Sequence, residues 1–345
     1  MTYKYRIYPT RLQIQKINET IYYCRFLYNN MLDHRIKCYK MGKSVRKYDQ
    51  LNELREIREE FVEYKQIHSQ ILQNVGDRLE KAYSNFFNRI KNGSKEKGFP
   101  RFKGRNAYHS FTYPQSGYVI ENNKLSLSKI GEVKIKLHRP LRGVVKTCTI
   151  ICKNNQYYAC LACEVPAVSL PIANSVVGID VGVSHFVITS DGEFFEKQNS
   201  FRKNEKQIKY LQRQVSRRKK GSNRRKQAVS LLAKKHEKVA NQRKDVAHKV
   251  SRYLVNNNDV IVHENLQIKN MVKNHKLAKS ISDAGWGLLF QYLNYKAESA
   301  GRIVEKVDPY NTSQVCSECG KLVPKPLSER QHSCPHCGLS IHRDI

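Results

Sequence analysis

VVGIDVGVSHFVITSDG, residues 176–192, is the stretch on which the fold turns. Val176, Val177 and Ile179, then Phe186, Val187 and Ile188, make two short β-type runs joined by a Gly-containing turn. Asp180 lies inside the first run. A carboxylate buried among Val and Ile is costly unless something compensates its charge. A second apolar run, DVIVHE at 259–264, ends the same way, at Glu264. A third acid, Asp344, follows in IHRDI at 341–345. Three acids from distant segments, two of them at apolar strands, suggest convergence on a metal ion. Mg²⁺ takes carboxylate oxygens and keeps positions open for a substrate phosphate. Two such ions about 3.5–4 Å apart activate water and stabilise the leaving oxygen in phosphodiester hydrolysis. Gly178 and Gly182 flank Asp180 and would let a nucleic-acid backbone come close. The competing reading is that each acid is salt-bridged or ends a strand, since acids at strand edges are common.

Charge points the same way. The 345 residues carry 62 Lys and Arg against 30 Asp and Glu, a net charge of +32. That excess exceeds what a solvated surface needs and predicts a polyanionic partner, above all nucleic acid held through its phosphates. A merely cationic, ribosomal-type protein is the plainer alternative. MTYKYRIYPTRLQ at the start has no apolar core of a signal peptide, and no run reaches membrane-spanning length. The expectation is a cytoplasmic protein whose ten Cys are reduced.

The length allows two or three domains, and no internal repeat is evident. Residues 1–8 alternate as a strand. Helical periods then run through Ile14, Ile17, Ile21 and Phe26, through Tyr48, Leu51, Leu54 and Ile57, and from Ser69 through Leu72, Val75, Leu79 and Phe86. Residues 11–92 read as a helical domain, inserted into a β-barrel or sandwich formed by 1–10 and 93–167. Asn-Asn pairs, Gly and Pro divide the barrel's strands. Residues 168–310 and 339–345 read as an α/β region, interrupted by a Cys module at 311–338. The fold class is thus multidomain α+β.

CSECG and CPHCG place Cys316, Cys319, Cys334 and Cys337 as two C-x-x-C knuckles. Two intervening residues let both thiolates face one tetrahedral ion, and Gly320 and Gly338 permit the tight turns. This predicts a structural Zn²⁺, with His332 and His336 as bystanders and a disulfide pair as the alternative. CLAC at 160–163 sits in an apolar strand, where residues three apart face opposite sides and cannot easily share a metal. Cys24, Cys38, Cys148 and Cys152 read as small buried apolar residues.

SRRKKGSNRRK at 216–226 concentrates Arg217, Arg218, Lys219, Lys220, Arg224 and Arg225. Such density binds phosphate without reading bases, although a solvated helical loop would look the same. GSN at 221–223 is expected to break the long helical period into a hairpin.

GIDVGV, HENL, DPYNTSQVCSECG, CPHCG and HRD occur here in the order of the RuvC-like core of TnpB-type proteins, and YKYRIYPTRLQIQKIN, CRFLYNNML, GFPRFK and SFTYPQ also resemble that family. The resemblance covers nearly the whole chain. It implies transposon-encoded RNA-guided DNA nucleases related to type V CRISPR effectors. The implied fold is an RNase H-like core with an inserted zinc ribbon, behind a wedge-like barrel with an inserted recognition domain. The implied metal site is Asp180, Glu264 and Asp344, the last opening a helix. The implied partners are a guide RNA from the transposon end and double-stranded DNA bearing a short adjacent motif read by the N-terminal domains. A monomer is expected, with the oligomeric state open. Gln70, Gln73 and Tyr48 are candidates for motif reading, because amides and aromatic rings can address bases; their plainer role is ordinary surface or core. The family's chain normally continues past the third acid, whereas this sequence stops one residue later. A nuclease-inactive RNA-guided repressor and a transposase performing strand transfer are the rival readings.

Overall fold

The structure is a computed structural model that describes residues 1–326 and 329–345. It divides into two units, Met1–Pro166 and Ala167–Ile345.

In the first unit, β1 (Thr2–Tyr8) turns Tyr3, Tyr5 and Ile7 inward. Thr10 then starts α1 (Arg11–Lys40) with a capping box: its hydroxyl accepts from the Gln13 N–H at 3.4 Å, and the Gln13 side chain accepts from the Thr10 N–H at 2.9 Å. α2 (Lys47–Asn52), α3 (Leu54–Glu60), α4 (Val62–Lys65) and α5 (Ser69–Lys91) follow. The period from Tyr48 to Ile57 is therefore split between α2 and α3. Their junction, Glu53, keeps helical dihedrals, so the apolar stripe runs on across it.

The strands β2 (Ser110–Tyr113), β3 (Tyr118–Glu121), β4 (Lys124–Leu127), β5 (Gly131–Lys136), β6 (Val144–Lys153) and β7 (Gln156–Glu164) complete an antiparallel sheet. Its order is β2-β6-β7-β1-β5-β4-β3. Asn122 and Asn123 both have positive φ (47° and 58°), as do Asn154 and Asn155 (52° and 58°). Two successive left-handed residues make the turn whose twist matches flanking antiparallel strands, so these pairs close the β3–β4 and β6–β7 hairpins. β1 is central, pairing with β7 on one side and β5 on the other. The sheet is nearly closed. The Tyr118 hydroxyl on edge strand β3 donates to the Val145 carbonyl of β6 at 3.3 Å, and its ring meets Tyr113 of edge strand β2. Sheet and helices share one apolar core, in which Ile17, Cys24 and Leu72 join Phe111, Ile150 and Leu161.

The second unit opens with β8 (Val176–Asp180), β9 (His185–Thr189) and β10 (Phe194–Glu196), followed by the helical hairpin α6 (Ser200–Arg217) and α7 (Asn223–Asn257). Next come β11 (Val260–Glu264), α8 (Ile268–Met271), α9 (Ala278–Ala284), α10 (Trp286–Ala300) and β12 (Ile303–Val307). A two-stranded ribbon, β13 (Gln331–Ser333) and β14 (Ser340–His342), lies near the end. The five-stranded sheet has the order β10-β9-β8-β11-β12. β8, β11 and β12 are parallel, while β9 and β10 run antiparallel. Val250 and Leu254 of α7 and Leu289 and Leu293 of α10 pack with Val177, Ile179 and Ile261 of the sheet. Buried Asp283 of α9 fastens α6: its oxygens accept from the Phe201 N–H at 2.8 Å, the Arg202 N–H at 3.3 Å and Arg243 Nε at 3.2 Å. A carboxylate there answers the partial positive charge of the helix start. No helix among the described residues is long and apolar enough to cross a membrane.

Candidate functional site

The two acids at apolar strand ends become neighbours because their strands are parallel. β8 and β11 pair in register up to Ile179 and His263, so Asp180 and Glu264 each stand one residue further, at the same end of the sheet. The carboxyl ends of parallel strands are where open α/β sheets bind ligands. Burial raises the Asp180 carboxyl to about 6, and the charges of Glu264 and Asp344 push it the same way. The Val181 N–H, which donates to Asp180 Oδ1 at 2.8 Å, opposes that rise. Glu264 accepts a hydrogen bond from the Thr312 hydroxyl. Beside it, the buried His263 ring stacks on Phe290 with centroids 4.1 Å apart and has Nδ1 2.8 Å from the Glu264 carbonyl.

Asp344 lies in a turn after β14, its side chain nearly covered. Arg330 Nη1 donates to its Oδ2 at 3.0 Å and Arg343 Nε to its Oδ1 at 3.1 Å. Its charge raises the Asp180 carboxyl, yet its oxygens are engaged by two guanidinium groups. Sequence reasoning named none of Thr312, Arg330 or Arg343 as partners of the acids; only Arg343, adjacent in HRD, offered a signal.

Of the two glycines flanking Asp180, one answers to the protein's own packing. A Cβ on Gly182 would come within 3.2 Å of the His185 carbonyl, in the turn between β8 and β9. At Gly178 it would sit 3.6 Å from Ser190, an ordinary contact. Packing in the turn therefore accounts for Gly182, whereas a side chain at 178 would meet no close contact.

The four module cysteines converge. The Sγ atoms of Cys316 and Cys337 are 3.6 Å apart, as are those of Cys319 and Cys334, and all four lie within 4.8 Å of one another. Tetrahedral Zn–S bonds of about 2.3 Å place sulfurs about 3.8 Å apart, so the cluster has the size for Zn²⁺, and none of the four is in a disulfide. The knuckles repeat one backbone pattern. The Cys316 and Cys334 N–H groups donate to the carbonyls of Lys321 and Leu339, and Gly320 and Gly338 donate back to Cys316 and Cys334. Those glycines have φ of +69° and +78°, with nothing near a would-be Cβ, so conformation alone selects them. Burial pushes the Cys334 thiol up, but the N–H groups of Cys337 and His336 and the neighbouring sulfurs outweigh it and bring it down to about 6. Among the described residues this is the one set of three or more such donors gathered that closely; His332, His336 and the three acids are outside it. Cys160 and Cys163 lie on β7, and only Cys163 is in the core. Cys24 and Cys148 are fully buried, while Cys38 and Cys152 are only half-buried, a correction to their reading as core.

The basic run forms the tip of the α6–α7 hairpin. Ser222 caps α7, its hydroxyl accepting from the Arg225 N–H at 3.2 Å, and Gly221 turns with φ +85°. Arg217, Lys219, Lys220 and Arg224 are exposed, whereas Arg218 and Arg225 are half-buried. Arg218 braces the tip by donating to the Arg224 carbonyl at 2.6 Å and to Gln214 at 3.2 Å. In the helical part, Tyr48 is exposed with Lys47 over its ring. Gln73 is exposed and lines a groove with Leu51, Arg55, Arg58 and Lys65. The Gln70 carbonyl is already engaged, accepting from the Ser116 N–H at 3.0 Å and its hydroxyl at 3.1 Å.

Comparison with known proteins identifies the chain. Residues 160–275 match the OrfB family of IS605-type elements, described as "Probable transposase". Residues 286–345 match "Cas12f1-like, TNB domain", and residues 1–44 match "Helix-turn-helix domain". A Streptomyces pristinaespiralis protein named "Putative RNA-guided DNA endonuclease" is 32% identical, covering 99% of this chain and 86% of its own length. The chain belongs to the OrfB/TnpB family. The Escherichia coli K12 relative of the same description, InsQ, is also 32% identical, over 99% of this chain and 89% of its own. In this OrfB/TnpB chain the stretch matched as helix-turn-helix is one strand and one unbroken helix, β1 and α1. A Cas12f1 chain solved by cryo-electron microscopy with guide RNA and target DNA has a similar fold. Its TM-score is 0.57 at 15% identity, over 90% of this chain and 76% of that one.

Proposed function

We propose that this chain is a transposon-associated RNA-guided DNA endonuclease that hydrolyses phosphodiester bonds at an RNase H-like site. The observation that carries the reading is the meeting of Asp180 and Glu264 at the ends of neighbouring parallel strands, with Asp344 near enough to raise the Asp180 carboxyl. A half-buried carboxylate destabilised by two others is matched to a divalent cation, and carboxylate oxygens are the donor class of Mg²⁺. Asp180, Glu264 and Asp344 would hold the metal, which when bound polarises the phosphate and lowers the pKa of water. The chain's own groups do the rest. Thr312 orients Glu264. Arg330 and Arg343 pair with Asp344, whose oxygens would have to leave them to hold an ion. The α6–α7 tip supplies phosphate affinity, the four thiolates hold Zn²⁺, and guide-RNA pairing supplies sequence choice while Gln70, Gln73 and Tyr48 face the motif beside the target. The strand order of the second unit supports the RNase H-like reading, and the named relatives support RNA guidance.

A second reading has its own observation. The two guanidinium groups on Asp344 would suit a chain that binds guided DNA without cutting it. The test is cleavage of a plasmid carrying the target and adjacent motif by protein purified with its RNA in Mg²⁺. Wild type should cut, and Asp180→Ala and Glu264→Ala should fall to background while still binding the target. Wild-type cutting by Asp180→Ala would sink the metal-site assignment. Guided binding without any cutting by wild type would establish the repressor reading.

A further inference from the structure

The end of α5 and the segment after it combine exposed aromatic rings with dense positive charge. Residues 89–105 contain seven Lys or Arg against a single acid, Glu96. Phe87, Phe99 and Phe102 are 59%, 45% and 55% exposed. Rings of this size ordinarily go inward.

Between 92 and 109 there is no helix or strand, yet the segment is pinned from both sides. Arg89 of α5 donates to the Lys97 carbonyl at 2.7 Å and to the Gly98 carbonyl at 2.8 Å. Asn29 of α1 accepts from the Lys103 N–H at 2.7 Å and donates to the Lys103 carbonyl at 3.1 Å. Phe99 stands edge-on to Phe86 and Tyr83, with centroids 5.2 and 5.7 Å away. Phe87 lies nearly parallel to Tyr83 at 6.2 Å and tilted on Phe86 at 5.1 Å. Phe87 and Phe99 therefore share one footing, Tyr83 and Phe86, and turn much of their surface to solvent. Lys103 also borders a cavity of about 230 Å³ lined by Tyr28, Arg78 and Tyr108, where cations and aromatic rings again alternate.

We propose that Phe87 and Phe99, with Phe102 three residues on, form a platform on which unpaired bases of RNA stack while Lys97, Arg101 and Arg105 meet the flanking phosphates. The inference rests on the RNA-binding reading above and says where unpaired nucleotides are held. Charge complementarity selects a polyanion. Exposed rings select one that offers base faces, which a duplex hides and a single strand presents. Pinning the segment beforehand removes much of the ordering cost of binding. An exposed aromatic patch is an aggregation liability unless covered, and a guide carried throughout the working cycle covers it, whereas target DNA is present only transiently.

The test uses the full chain stripped of nucleic acid. Affinity is measured for a short unpaired RNA containing a fluorescent purine analogue, for an RNA duplex, and for single-stranded DNA of the same sequence. Phe87→Ala/Phe99→Ala should weaken unpaired RNA roughly tenfold to a hundredfold, relieve the quenching that stacking causes, and leave the duplex unchanged. Phe87→Tyr/Phe99→Tyr should restore both signals, which excludes a folding defect. Lys97→Gln/Arg101→Gln should weaken all three nucleic acids together and flatten the salt dependence. The platform is overturned if the double alanine variant binds unpaired RNA like wild type, if it loses duplex equally, or if only DNA binding falls. Wild type binding none of the RNAs would overturn the RNA-guided reading as well, so the two failures are distinguishable.

Discussion

Asp180 and Glu264 stand in step, each one residue beyond the paired Ile179 and His263 on adjacent parallel strands. Their charges, with that of Asp344, work against a carboxyl that burial already disfavours, and Asp180 rises from 3.8 to about 6. The sign follows. Below about pH 4 folded and unfolded chains both hold the proton, and the ionisation of this group costs the fold nothing. Above pH 6 both have lost it, and the folded state bears a cost on the order of 3 kcal/mol. Asp180→Asn should therefore be more stable than wild type at pH 7 to 8 in chelator, with the gap closing as pH falls through 6 towards 4. Mg²⁺ should narrow the gap at pH 7 by stabilising wild type alone. Denaturant titrations across that pH range check this, and a pH-independent difference would show that neither burial nor the neighbouring acids raise the Asp180 carboxyl.

The sulfur cluster carries a separate expectation. Cys316→Ser removes one of four converging donors, so bound Zn²⁺ should be lost and the segment from Tyr310 to Asp344 should become protease-sensitive. Metal binding at such sites supplies the local folding energy. Elemental analysis with limited proteolysis measures both. Finding no Zn²⁺ in wild type would remove the assignment.

Four exposed cations sit at the tip of the α6–α7 hairpin. Changing Arg217, Lys219, Lys220 and Arg224 to Gln should reduce the slope of log affinity against log salt by about 3 if each meets one phosphate. Sequence preference should stay unchanged, because phosphate contacts carry no base information. A weakened affinity with an unchanged slope would assign these residues to folding instead.

Asp283→Ala should destabilise the second unit by about 2–4 kcal/mol. It strips the start of α6 of two hydrogen bonds and leaves Arg243 without its buried partner. Asp283→Asn should recover part of the loss. Urea unfolding is the measurement, and a change below about 0.5 kcal/mol would mean that water replaces the carboxylate fully.

Features set by nearby chemistry could be read in the chain itself. Asn122-Asn123 and Asn154-Asn155 announce hairpins because few other residues accept two successive positive φ values. The C-x-x-C-G knuckles announce a cluster because spacing and a left-handed glycine act within six residues. Asp180 and Glu264 stand out because an acid at the end of an apolar run is anomalous wherever the run packs. Residues 267–285 lack a sustained apolar period, and the short helices α8 and α9 were accordingly not legible.

Long-range pairing settled what local chemistry left open. β1 reads as an added strand but sits at the centre of its sheet, because its partners β5 and β7 begin more than a hundred residues away. Asp180 and Glu264 are 84 positions apart, and only the parallel register of β8 and β11 puts them side by side. The same holds for Asp344, which acts on Asp180 from 164 positions away. Residue periods and φ preferences are local energies, written in adjacent letters. Strand register and ion-pair partners come from closing long loops around a common core, and no window of sequence contains both ends.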